Sequence, residues 1–249
     1  MSNAIKFGTL YMGGKAIGPR VRQYDYRRKV SVDIGDTVPG KEIRWVPVDG
    51  ILVADRCLLT KISRLDLDDN GFGEQSGKKV IVDGKPALCR LLRTEVFSPL
   101  GNELDAWQKA VASDPAVWHK DPYNFWALEK GTYNDIGVSF TPENPPRNFE
   151  KIPIERRSEE LGFRPALEFL IPDEELNETM VGTTVTVYIG PNWTKGQIIE
   201  VTDYDLILRD QCGRIVPNTG LDQYVRSIPA GRAKIICREG IDYISRRSV

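Results

Sequence analysis

Short apolar runs, each cut after a few residues by glycine, proline or aspartate, set the texture of this chain. Ile43 to Val48, Gly50 to Ala54 and Leu58 to Ile62 are rich in β-branched residues and are interrupted by Pro47, Asp49-Gly50 and Asp55-Arg56. That pattern predicts core strands. Lys79 to Val82 and Ala87 to Leu92 flank Asp83-Gly84, a dipeptide that accepts the left-handed backbone of a tight hairpin turn, so two antiparallel strands are expected there. Helical spacing is rare. From Glu103 to Ala112 the apolar positions Leu104, Trp107, Ala110 and Val111 recur three and four apart, as one helix face requires, and Ser113-Asp114-Pro115 ends the run. Ser63 stands three residues before Asp66, the spacing of an N-cap for a single helical turn that closes at Asn70-Gly71.

The first segment is broken by Gly13-Gly14 and Gly18-Pro19, which favours loops or short strands before Tyr24. Arg20, Arg22, Arg27, Arg28 and Lys29 then interleave with Tyr24 and Tyr26. Two readings fit: a surface that stacks bases and grips phosphates, or an exposed edge strand over Val21 to Val32 whose cations discourage edge-to-edge pairing. Trp118 to Phe149 is dense in aromatics, proline, asparagine and glycine without clear periodicity, and reads as a long structured loop region. Gly162 to Leu167 leads into a strand through Leu170. Ile171 to Thr179 is acidic and contains proline, so the domain boundary is placed there.

Beyond it, Thr183 to Ile189, Gln197 to Val201, Asp205 to Leu208 and Arg214 to Val216 are four expected short strands, with a fifth from Ala233 to Cys237. Close, even spacing of this kind suggests a small SH3-like barrel. The expected fold class is α+β, mostly β, with one domain over residues 1–172, including the basic N-terminal segment, and a small barrel over residues 179–249.

Composition narrows the function classes. The chain has 249 residues, 41% hydrophobic and 28% charged, which is ordinary for a folded globular protein. Its 34 Lys and Arg nearly cancel 35 Asp and Glu, so the net field gives no reason to expect nucleic acid or an anionic membrane as partner; any such contact would be local. No apolar run is long enough to span a bilayer, and Met1 to Leu10 lacks the build of a signal peptide, so a cytoplasmic location is expected, with a virion component as the alternative. Cys57, Cys89, Cys212 and Cys237 form no CxxC pair, and buried thiols in strands are expected.

Candidate chemistry is sparse. His119 is the sole histidine, so any nucleophile-histidine arrangement must use it, and its neighbourhood offers only Asp114 or Asp121 as an orienting carboxylate. Zinc would need ligands gathered from this histidine and scattered cysteines. Asp66, Asp68, Asn70 and Gly71 match the first half of an EF-hand loop, but Gly77 stands where the bidentate carboxylate belongs; a capped surface turn is the competing reading. Walker, dinucleotide and nucleophile-elbow motifs do not occur, and Glu159-Glu160 and Glu174-Glu175 are adjacent rather than opposed. No enzyme activity, metal or cofactor is therefore expected. The informative set is Trp118, His119, Tyr123, Asn124, Trp126, Tyr133 and Arg147, because Trp and Tyr provide rigid contact area at low entropy cost. Core packing is the rival account of the same rings.

The run from Lys79 to Leu92, the Trp-bearing segment after it and above all Gly162-Phe163-Arg164-Pro165-Ala166-Leu167 resemble a domain family of unknown function in Gram-positive bacteria and their prophages. That family is similar to the C-type-lectin-like fold of formylglycine-generating enzymes and phage tropism determinants, and the resemblance covers roughly Ile43 to Leu170. It implies a rigid scaffold with variable loops that bind a ligand or receptor. The late cysteine pair of the oxidases is missing, since no cysteine lies between Cys89 and Cys212. The resulting expectation is a non-catalytic ligand-binding protein, of phage or prophage origin, that holds a small molecule, glycan or protein. A homo-oligomeric structural virion component and an enzyme using His119 are the alternatives.

Overall fold

The structure is a computed structural model that describes residues 4–18, 20–74, 77–93, 103–119, 123–130, 136–140, 150–190, 192–210, 225–228 and 233–246. It is mostly β, with twenty strands against two α-helices among the described residues. The chain divides into two compact units, Met1–Leu167 and Glu168–Val249.

In the N-terminal unit the elements run β1 (Ile5–Met12), β2 (Lys15–Ile17), β3 (Arg22–Gln23), β4 (Val32–Gly35), β5 (Glu42–Val48), β6 (Ile51–Ala54), β7 (Leu59–Thr60) and α1 (Arg64–Asp69). They continue with β8 (Lys78–Val82), β9 (Lys85–Arg90), α2 (Glu103–Ser113), β10 (Asn124–Lys130), β11 (Ile136–Phe140), β12 (Glu150–Pro153), β13 (Leu161–Phe163) and β14 (Ala166–Phe169). The first sheet is ordered β2-β1-β5-β6-β14-β9-β8, with β4 also paired to β1. Polar contacts bring β4 back beside β8. Lys78 Nζ donates to the Val32 carbonyl at 2.8 Å, and Asp83 accepts from both the backbone and the hydroxyl of Thr37 at 2.7 and 2.5 Å. The second sheet is ordered β12-β11-β10-β13-β7-β3 and is mixed, with β10 parallel to β13 and β3 parallel to β7.

Local chemistry explains several elements. Asp83 and Gly84 have φ of 51° and 76°, the two left-handed positions that a two-residue hairpin turn needs between β8 and β9. Ser63 caps α1 as its spacing predicts: its hydroxyl accepts from Asp66 N at 3.1 Å, and the Asp66 carboxylate accepts from Ser63 N at 2.9 Å. Gly162 is required by close approach, because a Cβ there would lie 2.6 Å from the Leu59 carbonyl oxygen. The residues after it are then shared out. Phe163 packs on Phe72 with centroids 4.8 Å apart, Pro165 accepts a hydrogen bond from Ala54 N, and Ala166 and Leu167 pair with Val53 and Leu52. The motif thus passes the chain from one sheet to the other through the core.

Three expectations change. Within the aromatic stretch read as loop, residues 124–130 and 136–140 are strands, and β10 lies inside the second sheet between β11 and β13. The expected edge strand over Val21 to Val32 shrinks to β3, the terminal strand of its sheet, followed by turns and by β4 in the other sheet. The unit boundary falls at Leu167–Glu168 rather than in 171–179, because the chain changes partners there: Leu167 pairs with β6, whereas Leu170 bridges to Ser245.

The C-terminal unit holds β15 (Thr184–Ile189), β16 (Asn192–Val201), β17 (Asp205–Asp210), β18 (Val225–Ile228), β19 (Ala233–Cys237) and β20 (Tyr243–Arg246). They form one antiparallel sheet ordered β18-β19-β17-β16-β15-β20. Val185, Val187, Ile198, Leu206, Leu208, Ile236 and Ile244 build its core. The segment Arg214 to Val216, read as a strand, lies outside the described residues, while β18 and β20 were not expected.

Candidate functional site

Among the described residues, those singled out from sequence do not form one exposed surface. Trp126 is fully buried in β10, and its indole Nε1 donates to the Ile62 carbonyl at 2.9 Å. Trp118 is 6% exposed and meets Trp107 edge-on, with centroids 6.0 Å apart and planes at 85°. These two rings are packing residues, which corrects the expectation that they are displayed. The physical reason is the strand: β10 has a neighbour on each side, and its residues 125–128 are buried. Tyr123 and Asn124 are half-buried, and Tyr123 packs against the same core. His119 is exposed; its backbone N donates to Asp55 O at 3.2 Å, and among the described residues nothing hydrogen-bonds its imidazole. The Asp55 carboxylate instead takes two hydrogen bonds from Arg56, each 2.9 Å. Tyr133 and Arg147 lie outside the described residues.

Around Trp107 the core is unusually polar. Arg164 places its guanidinium over Trp107 and Phe125, 5.0 and 5.1 Å from the ring centroids. Arg90 forks onto Glu103 at the start of α2, and Arg93 N donates to the same carboxylate at 2.9 Å. These groups join α2 to the strands by charge-assisted hydrogen bonds. The EF-hand-like residues are likewise engaged within the protein. Arg157 donates to both Asp66 oxygens at 2.8 and 2.7 Å, and Asp68 accepts from Arg64 Nε at 2.8 Å. Among the described residues no group of three or more His, Cys, Asp or Glu is placed to hold a metal. The basic N-terminal segment keeps its five exposed cations, but Tyr24 is 4% exposed and Arg157 covers the Tyr26 ring at 5.2 Å. Tyr24 is thus closed to a stacking base, and one face of Tyr26 is taken by Arg157.

A concave surface occurs in the C-terminal unit, with a volume of about 590 Å³. Half-buried Ile171 and Ile241 line it above Leu176 and Ile244, which belong to the buried core of the unit. Backbone bonds set these residues: Ile171 N donates to Ile244 O at 2.8 Å, and Ile241 N closes a short turn on Arg238 O at 3.0 Å. The rim carries Asp203, Glu239 and Asp242, all exposed, together with Arg238 and Tyr243. Arg238 is tied down, its Nη1 donating to Thr202 O at 2.9 Å. No cation pairs with Asp203, Glu239 or Asp242 among the described residues, although Asp242 accepts from Gly190 N. Sequence reasoning missed this place. Its one available signal is the pair of apolar residues Ile171 and Leu176 inside the acidic run that the sequence marks as a domain boundary.

No helix among the described residues is long and apolar enough to cross a membrane. Comparison with known proteins adds no relationship: no family model matches the chain, no curated protein matches it, and no solved structure matches it.

Proposed function

We propose that this is a non-catalytic binding protein whose ligand seats in the concave surface of the C-terminal unit rather than on the aromatic set of the N-terminal unit. The carrying observation is the concavity itself, in which half-buried Ile171 and Ile241 lie beside the polar groups of its rim. Binding sites are concave and carry a few placed polar groups. In this reading the N-terminal unit is a C-type-lectin-like scaffold and the C-terminal unit an SH3-like barrel, for which its single antiparallel sheet of six strands speaks.

The test is a fragment screen read by methyl NMR on isoleucine-labelled full-length protein. Fragments that bind should shift the methyls of Ile171, Ile241 and Ile244. Binders that leave those methyls unmoved while shifting residues around His119 and Tyr123 would return the site to the N-terminal unit.

A further inference from the structure

We infer that the core of the N-terminal unit around Trp107 holds a small oxyanion, a carboxylate or a phosphate, between two indole N–H groups and a buried guanidinium. This second site is enclosed and does not depend on the concave surface. Trp107 is 1% exposed and Trp118 6%, and their rings meet edge-on with centroids 6.0 Å apart, yet among the described residues neither Nε1 has a hydrogen-bond partner. Buried indole donors ordinarily find an acceptor, because a donor stripped of water and left alone bears the whole cost of its lost hydration. This chain meets that requirement elsewhere: Trp45 Nε1 donates to Phe7 O at 3.0 Å and Trp126 Nε1 to Ile62 O at 2.9 Å. The Glu103 carboxylate, on the same helix as Trp107, accepts instead from Arg90 and from Arg93 N. The two indoles that lack an acceptor therefore sit together, and there the buried Arg164 guanidinium lies over Trp107 and Phe125. Indole and guanidinium nitrogens only donate, so the guest must accept. A cation would meet the charge of Arg164, and a neutral carbonyl would draw nothing from it. A carboxylate or phosphate brings several acceptor oxygens and the negative charge that strengthens each bond in a dry interior. Trp118 keeps a narrow accessible edge next to exposed His119, which gives the guest its way in.

The experiment titrates the full chain, carrying isotope-labelled tryptophan, with inorganic phosphate in one series and acetate in another, with chloride exchanged to hold the ionic strength fixed. The indole N–H resonances are followed by NMR. Those of Trp107 and Trp118 should shift together and saturate, while those of Trp45 and Trp126, already donating to carbonyls, should stay in place. Saturation by only one of the two anions would support the site and name its class. In Trp118→Phe, which keeps a ring against Trp107, the remaining Trp107 signal should report binding about tenfold weaker, and unchanged Trp45 and Trp126 signals would show that the variant folds. Should it not fold, the reciprocal Trp107→Phe is read at Trp118. Absence of a saturating shift with either anion would overturn the inference, as would a parallel drift of all the indoles or an affinity untouched by the substitution. Cross-peaks from both indoles to a long-lived water, with no effect of either anion, would also overturn it, because solvent would then be the acceptor.

Discussion

Arg90 and Glu103 meet through two parallel hydrogen bonds, Nη1 to Oε2 at 2.7 Å and Nη2 to Oε1 at 2.8 Å, with both side chains shut away from solvent. One residue ends a strand of the first sheet and the other begins α2, so the pair fixes where the helix enters the core. Glu103→Ala would leave buried guanidinium charge without this partner and should cost about 3–5 kcal/mol of stability, read from the shift of a urea unfolding curve. Replacing both groups by apolar ones, Arg90→Met with Glu103→Leu, should cost less than the single change. A loss under about 1 kcal/mol for Glu103→Ala would mean that the pair is not a determinant of the fold.

Acid should act through Asp66. Burial alone would push this carboxyl up, but hydrogen bonds from Arg157 and Ser63 together outweigh it and hold the group below the usual carboxylate range. A depressed folded value means that the stabilisation is fully present above the ordinary value near 3.8 and disappears as pH falls through the lower, folded one. The Asp66→Asn variant should therefore be less stable than the parent at neutral pH, with a gap that narrows below about pH 4. A gap of constant size across that window would count against the titration.

Gly162→Ala should destabilise by about 1–3 kcal/mol, because the added carbon has nowhere to go between the Leu59 carbonyl and Cys57. Unfolding curves of the two proteins measure it. Gly84→Ala tests a different cause, a left-handed backbone in open space, and should cost about 1 kcal/mol.

Trp126→Phe keeps a ring in the sheet but leaves the Ile62 carbonyl without its donor, at a cost of about 1–3 kcal/mol. The same change should leave fragment binding at the concave surface unaltered, since Trp126 does not line it. Reduced binding without reduced stability would restore this ring to a recognition role.

Thiol reactivity should follow burial. Cys89 is fully buried, and desolvation pushes its thiol well above the usual range, while Cys57 is also buried and Cys237 is half-exposed. Timed alkylation of native protein followed by peptide mapping should label Cys237 before Cys57 and Cys89. Labelling of Cys89 first would require an opening of the first sheet.

Local signals in the sequence proved sound where the cause was local. The Ser63 cap, the Asp83-Gly84 turn and the apolar face of α2 depend on residues three or four positions apart, and each is where the chemistry puts it. Signals failed where tertiary context decided. Nothing local to Trp118 or Trp126 says that a strand will form through the second of them and be flanked on both sides; that depends on Leu161 to Phe163, far along the chain. The concave surface was harder still, because it joins residues 171 and 176 to residues 203 and 238–244, and its apolar members are spaced like ordinary turn residues.

The passage of Gly162 to Leu167 between two sheets has a consequence for synthesis. Both sheets wait for it: β13 joins β7 to β10, and β14 joins β6 to β9. A nascent chain stopped before residue 161 would therefore carry two unfinished edges, each already holding strands made long before. Closure of the N-terminal unit is for this reason a late event on the ribosome, set by pairings remote in sequence, and such pairings make folding slow.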